Sequence, residues 1–193
     1  MMKDFIVASA SPRRREILLG GGFDFRVIPS NCDESISENL SPEETVKELS
    51  KRKALSVLSK NKDSVVLGCD TVVALGDEIL GKPADREDAF RMIKNLSGKV
   101  HKVCTGVCIA DKDRKESFVT VAEVEFYEIS DETARSYAET GECDDKAGAY
   151  GIQGLGGTLV KSIKGDYYAI VGLPFAETVR VLSSFGIEGK IKF

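Results

Sequence analysis

Three positions carry charge where local physics disfavours it, and together they outline chemistry on an anion. The run Ser9-Ala10-Ser11-Pro12-Arg13-Arg14-Arg15 opens a helix, with Ser11 at the cap and Pro12 at the first helical position. A helix N-terminus carries partial positive charge and favours acidic residues by about 0.3–1 kcal/mol each. This one instead places three arginines in its first turn. Beside two hydroxyls and free backbone N–H groups, the cluster reads as an anion site rather than a solvated basic turn. The planar guanidinium fork suits phosphate better than an ammonium does.

Lys53 is the second anomaly. At about 100° per residue, Val46, Leu49, Lys53 and Val57 fall on one stripe of a long helix, so the lysine sits on the face that should be buried. Either its ammonium snorkels to the edge of the core, or it meets a negative charge. Asp70 is the third: strand alternation puts it on one face with Val66, Gly68 and Val72, and Gly68 leaves space beside it. A buried carboxylate needs a cation, a metal or a proton to move. Weaker leads are Glu34 in an acidic loop, Lys82 held extended by Pro83, and the glycine-rich stretch after Asp144-Asp145-Lys146. Cations for phosphates, carboxylates for a divalent metal and a candidate base fit metal-assisted attack of water on a phosphoanhydride. No Walker-type Gly-x-x-x-x-Gly-Lys-Ser/Thr run is present, and the single histidine, His101, rules out chemistry that needs two.

The 193 residues, 42% hydrophobic and 30% charged, have an ordinary globular composition, enough for one sizeable domain or two closely packed lobes. A net charge of −4 argues against nucleic acid as a partner. Apolar runs too short to cross a bilayer, and an N-terminus that leads straight into an apolar stretch, predict a cytoplasmic protein with no membrane partner. The five cysteines are scattered; Cys104 and Cys108, though close, make a poor zinc site.

These residues need elements to position them. Phe5–Ala8 reads as a strand, Pro12–Leu19 as a helix stopped by three glycines, and Phe23–Ile28 as a second strand. Ser41-Pro42-Glu43-Glu44 starts a helix that runs to about Lys60. Val65–Leu75 is a long strand that turns at Gly76-Asp77-Glu78 and returns through Ile79-Leu80. Asp85 caps a helix that ends at Gly98. Val100–Ala110 and Ser117–Tyr127 form a hairpin. A helix over about 131–139, a loop over Ala147–Gly157 and a last helix over about Pro174–Phe185 complete an α/β chain with a mixed sheet flanked by helices.

Read in order, Ala8 to Arg14, Asp33-Glu34-Ser35, Lys53-Ala54, Gly68 to Val73, Gly81-Lys82-Pro83 and Asp145 to Gly154 resemble the Maf family of nucleoside triphosphate pyrophosphatases over nearly the whole chain. The resemblance implies one such domain over residues 1–193, with two lobes and a cleft, similar in fold to inosine triphosphate pyrophosphatases. It implies hydrolysis between the α and β phosphates with Mg2+ or Mn2+, Asp70 as the proton acceptor, and Glu34 and Asp70 near the metal. Ser9, Arg14, Lys53 and Lys82 match phosphate-binding positions; Arg13, Thr71 and Gln153 match positions associated with base choice. The loop Lys146 to Gly154 resembles the branch acting on dTTP and UTP. Two rivals stay open: a nucleotide-binding regulator of septum formation, and a pyrophosphatase for non-standard purines. A homodimer is compatible with the sequence.

Overall fold

The computed structural model describes residues 3–36 and 40–193. Strands β1 (Asp4–Val7), β2 (Arg26–Val27), β3 (Ser64–Leu75), β4 (Glu78–Leu80), β5 (Val100–Ala110), β6 (Lys115–Phe126) and β7 (Val160–Lys164) form one sheet in the order β2-β1-β3-β5-β6-β7, with β4 on β3. β1 runs parallel to β2 and β3, and the other pairs are antiparallel. Helices α1 (Pro12–Gly20), α2 (Pro42–Leu58), α3 (Arg86–Leu96), α4 (Asp131–Glu139), α5 (Tyr167–Val171) and α6 (Phe175–Ser184) flank it. The expected mixed sheet with flanking helices is therefore present. Among the described residues no helix is long and apolar enough to cross a membrane.

Where end signals are written locally, the elements follow them. Ser41 and Glu44 close a reciprocal capping box on α2, and the Asp85 carboxylate caps α3 through the Asp88 N–H. Three readings need correction. The second strand shrinks from 23–28 to Arg26–Val27, because β1 supplies it only a two-residue parallel register. Ser11 occupies the cap position of α1, but its hydroxyl caps nothing. The stretch 147–157 holds one 3-10 turn, Ala147–Ala149, and the start of a second, Gly154–Leu159.

Alternation along the central strands builds cores on both faces. Ile6, Ala8 and Val66 face α2, whereas Phe5, Val7, Leu67 and Val107 face α6. Further along the latter face, Val73, Val103, Val124 and Phe126 pack on α3 and α4 as a second core. Thr71 and Thr105 are register partners between these two cores, so a polar seam divides two apolar lobes built on the same strands.

β3 is also interrupted along one edge. β1 pairs it up to Leu67 and β4 from Val73, so Gly68–Val72 has a strand neighbour on the β5 side only. The other face of this stretch is covered closely. A Cβ at Gly68 would lie 2.2 Å from the Ser50 carbonyl oxygen, and one at Gly106, opposite Asp70, would lie 2.3 Å from that of Val46. The room beside Asp70 expected from Gly68 is thus filled by the backbone of α2. Gly68→Ala should cost about 1–3 kcal/mol by overpacking against atoms that cannot rotate away. Urea unfolding of the variant beside wild type measures this.

His101 lies in the second core, edge-on to Phe126, with Nε2 2.8 Å from the Tyr150 hydroxyl and Nδ1 without a hydrogen-bond partner. Burial pushes it down from 6.5 to about 4. The fold holds the neutral ring, while the unfolded chain takes up a proton below about pH 6.5. This contribution is therefore full above that pH and fades as pH falls towards 4, by up to about 3 kcal/mol. His101→Phe should be less stable at pH 7.5, since Tyr150 loses its partner. Its unfolding free energy should change less between pH 6.5 and 4.5 than that of wild type.

Candidate active site

The interrupted edge of β3 is where the sequence-derived candidates meet. On the α2 face, Lys53 Nζ lies 2.6 Å from Asp70 Oδ1 and 3.2 Å from Glu34 Oε1. Of the two readings of Lys53, the ion pair holds: its side chain is 12% exposed and ends on two carboxylates. Burial disfavours its charge, but Asp70 and then Glu34 overcome that cost, and the ammonium is held above its ordinary range. Helix packing puts it there, because the glycine contacts let α2 approach until a side chain one turn from Leu49 overlies Asp70. Glu34 arrives by a separate route. Asp33 accepts from the Ser35 N–H and hydroxyl, and Arg52 of α2 donates to the carbonyls of Asp33 and Ser35, which pins the loop onto the helix.

On the other face Arg14 turns back from α1 into the seam. Its Nε donates to the Gly172 carbonyl at 2.8 Å, Nη1 to Ser9 Oγ at 3.0 Å and Nη2 to Thr71 Oγ1 at 3.0 Å. Ser9 Oγ also accepts from the Ser11 N–H, an amide at the uncapped start of α1. The three arginines therefore have different surroundings. Arg14 is fixed by three acceptors, Arg13 lies 3.6 Å from Asp145, and Arg15 is exposed. Arg13 and Asp145 connect α1 to the glycine-rich stretch, where the Lys146 ammonium holds the Asp145 carboxyl below its usual range.

Two candidates stand outside these hydrogen-bonded clusters. Lys82 is exposed just after β4, and Gly81 next to it accepts the Gly148 N–H at 2.9 Å. Gln153 is exposed at the start of the second 3-10 turn, with its amide not used as a cap. The loop carrying it is held from below. Tyr150 bonds His101, the Gly151 N–H donates to Tyr137, and Glu142 accepts from Tyr137 and from the N–H groups of Leu155 and Gly156. Gly148 and Ala149 both adopt positive φ (71° and 58°), a strain in Ala149 that this anchoring sustains. Cys69, immediately before Asp70 and Thr71 in sequence, is fully buried; burial pushes its thiol up, and it donates to the Gly172 carbonyl at 3.1 Å.

Thr105, Gly106 and Gly172 take part in this arrangement without having been singled out in the sequence. Gly106 had a signal, since a glycine inside a strand pattern marks close backbone approach. Thr105 had none, threonine being an ordinary strand residue.

Glu34 and Asp70 present only oxygen donors and converge on one positively charged point. Among the described residues no group of three His, Cys, Asp or Glu surrounds such a point. Two carboxylates completed by ligand phosphates are a usual seat for Mg2+, so these residues fit a hard divalent cation.

A family model described as Maf-like protein matches residues 4–185. The dTTP/UTP pyrophosphatase of Bacillus velezensis is 50% identical over 188 residues, covering 97% of this chain and 100% of the relative. Those of Bacillus pumilus and Halalkalibacterium halodurans are 47% and 45% identical, each over 98% of its own length and over 96% and 97% of this chain. Among solved structures, the Ham1 protein of Staphylococcus aureus matches with a TM-score of 0.51 at 16% identity, over 82% of this chain and 80% of that one, a likeness of fold. With the family model matching from the first strand to the last helix, and relatives aligned nearly end to end, the chain belongs to the Maf family.

Proposed function

We propose that this chain hydrolyses nucleoside triphosphates between the α and β phosphates, dTTP and UTP foremost, as cytoplasmic housekeeping of the nucleotide pool. The observation that carries the reading is the convergence of the Lys53–Asp70–Glu34 cluster and the Arg14 cluster on the stretch of β3 that has a strand neighbour on the β5 side only. The names of the relatives support the substrate and the reaction.

Asp70 Oδ1 is engaged by Lys53, which leaves Oδ2 to take a proton from water. The water oxygen bonds to the α phosphorus as the bond from that phosphorus to the α,β-bridging oxygen breaks, and pyrophosphate leaves with the bonding electrons. Arg14, already oriented by Ser9, Thr71 and Gly172, binds phosphate oxygens without further ordering, and its charge opposes the negative charge building there. Exposed Lys82 is free to swing onto the same phosphates, and Arg13 adds positive charge from α1. Glu34 and Asp70 would hold Mg2+ or Mn2+, which when bound neutralises phosphate charge and acidifies coordinated water. Gln153 carries a donor and an acceptor on one amide, the pair needed to read a pyrimidine edge.

The test is turnover of dTTP, UTP, CTP, dITP, XTP and GTP with Mg2+ or Mn2+, with products identified as pyrophosphate or orthophosphate. Pyrophosphate led by dTTP and UTP is expected, and EDTA should stop it until metal is restored. Asp70→Asn should lower kcat by about 10²–10⁴-fold, the contribution of a positioned base, with nucleotide affinity largely kept. Nucleotide binding by wild type without turnover of any of these compounds would replace this reading with the regulator.

A further inference from the structure

Thr71 and Thr105 face each other across β3 and β5, in the seam between the two lobes, and Thr105 is wholly buried. The hydroxyl of Thr105 has one proton, and that proton goes to the carbonyl oxygen of Ala169 in α5, at 2.8 Å. A carbonyl only accepts, so the 2.8 Å contact between the two threonine oxygens must run from Thr71 to Thr105. The proton of Thr71 is then committed. What its oxygen offers Arg14 is a lone pair, and Nη2 donates to it at 3.0 Å. The result is a chain of one fixed direction, from guanidinium to Thr71 to Thr105 to Ala169, each bond polarising the next. The segment that supplies its terminal acceptor also supplies the Gly172 carbonyl that holds Arg14 Nε.

We propose that Thr105 is a positioning residue: by forcing Thr71 to act as an acceptor, its buried hydroxyl orients the Arg14 guanidinium for phosphate. The inference deepens the reading of Arg14 as a phosphate ligand and rests on it. With its one proton directed inward, Thr71 meets any ligand as an acceptor only.

Thr105→Val keeps the shape of the side chain and removes the hydroxyl. The measurements are kcat/KM for dTTP, and affinity for pyrophosphate by calorimetry, in wild type, Thr105→Val and Thr105→Ser, each with Arg14 intact and with Arg14→Ala. Loss of one buried hydrogen bond predicts a fall of about three- to tenfold in both quantities for Thr105→Val. Thr105→Ser should stay within about twofold of wild type, because it restores the hydroxyl. In the Arg14→Ala background the effect of Thr105→Val should vanish, since the group it positions is gone. An undiminished effect there, or none with Arg14 intact, overturns the proposal. If Thr105→Val does not fold, the same cycle is run with Thr71→Val, which breaks the chain one hydroxyl earlier. A Thr71 effect that persists without Arg14 would mean that Thr71 reads the ligand directly, and would overturn the proposal equally. Pyrophosphate binding separates the two levels. Coupled loss of that binding in a protein that turns over no nucleotide would remove the hydrolase reading and leave the role of Thr105 standing.

Discussion

The approach of α2 to the sheet is the constraint on which the candidate site depends. A helix resting on ordinary side chains would keep its backbone a full side-chain layer away. Gly68 and Gly106 remove that layer at two points on neighbouring strands, one beside Asp70 in sequence and the other across from it. Lys53 then lies over Asp70 instead of reaching past the core to water, and the loop that Arg52 pins to the same helix delivers Glu34 to the same ammonium. Two carboxylates and a lysine thus meet through backbone contact rather than through a long chain of side chains. If the helix moves, Lys53 and the pinned Glu34 loop shift together relative to Asp70 on β3.

The opposite face solves a different problem, how to hold a cation at an end of a helix that repels it. Arg14 is held by three neutral acceptors, one of which, Ser9 Oγ, it shares with the Ser11 N–H. Neutral acceptors orient a guanidinium without cancelling its charge, whereas a carboxylate partner would have neutralised it. Lys53, in contrast, is paired with two carboxylates, so the clusters around the two cations are unlike in net charge, as the cations are in shape.

Much of this was legible in the sequence wherever the signal was local. The capping box of α2, the Asp85 cap, the hairpin and the helix over 131–139 follow from neighbouring residues, and the structure has them nearly as read. Lys53 and Asp70 stood out because each breaks the pattern of its own element. β7 and α5 did not stand out. β7 is an almost wholly exposed edge strand whose side chains show no buried alternation, and α5 is a single short apolar turn. Thr105 and Gly172 were invisible for a further reason. Their contacts with Thr71 and Arg14 bridge distant parts of the chain, and each is an unremarkable residue where it stands.

The uncovered stretch of β3 has one more consequence. Unpaired strand edges are sites where another chain can add itself, and proteins commonly guard them with charge, proline or brevity. Here the opening is bounded at one end by β1 and at the other by β4, both bonded to the same strand. An intruding strand would have to displace one of them to gain a useful register. The fold thereby leaves part of an interior strand unpaired on one side without offering a seed for aggregation.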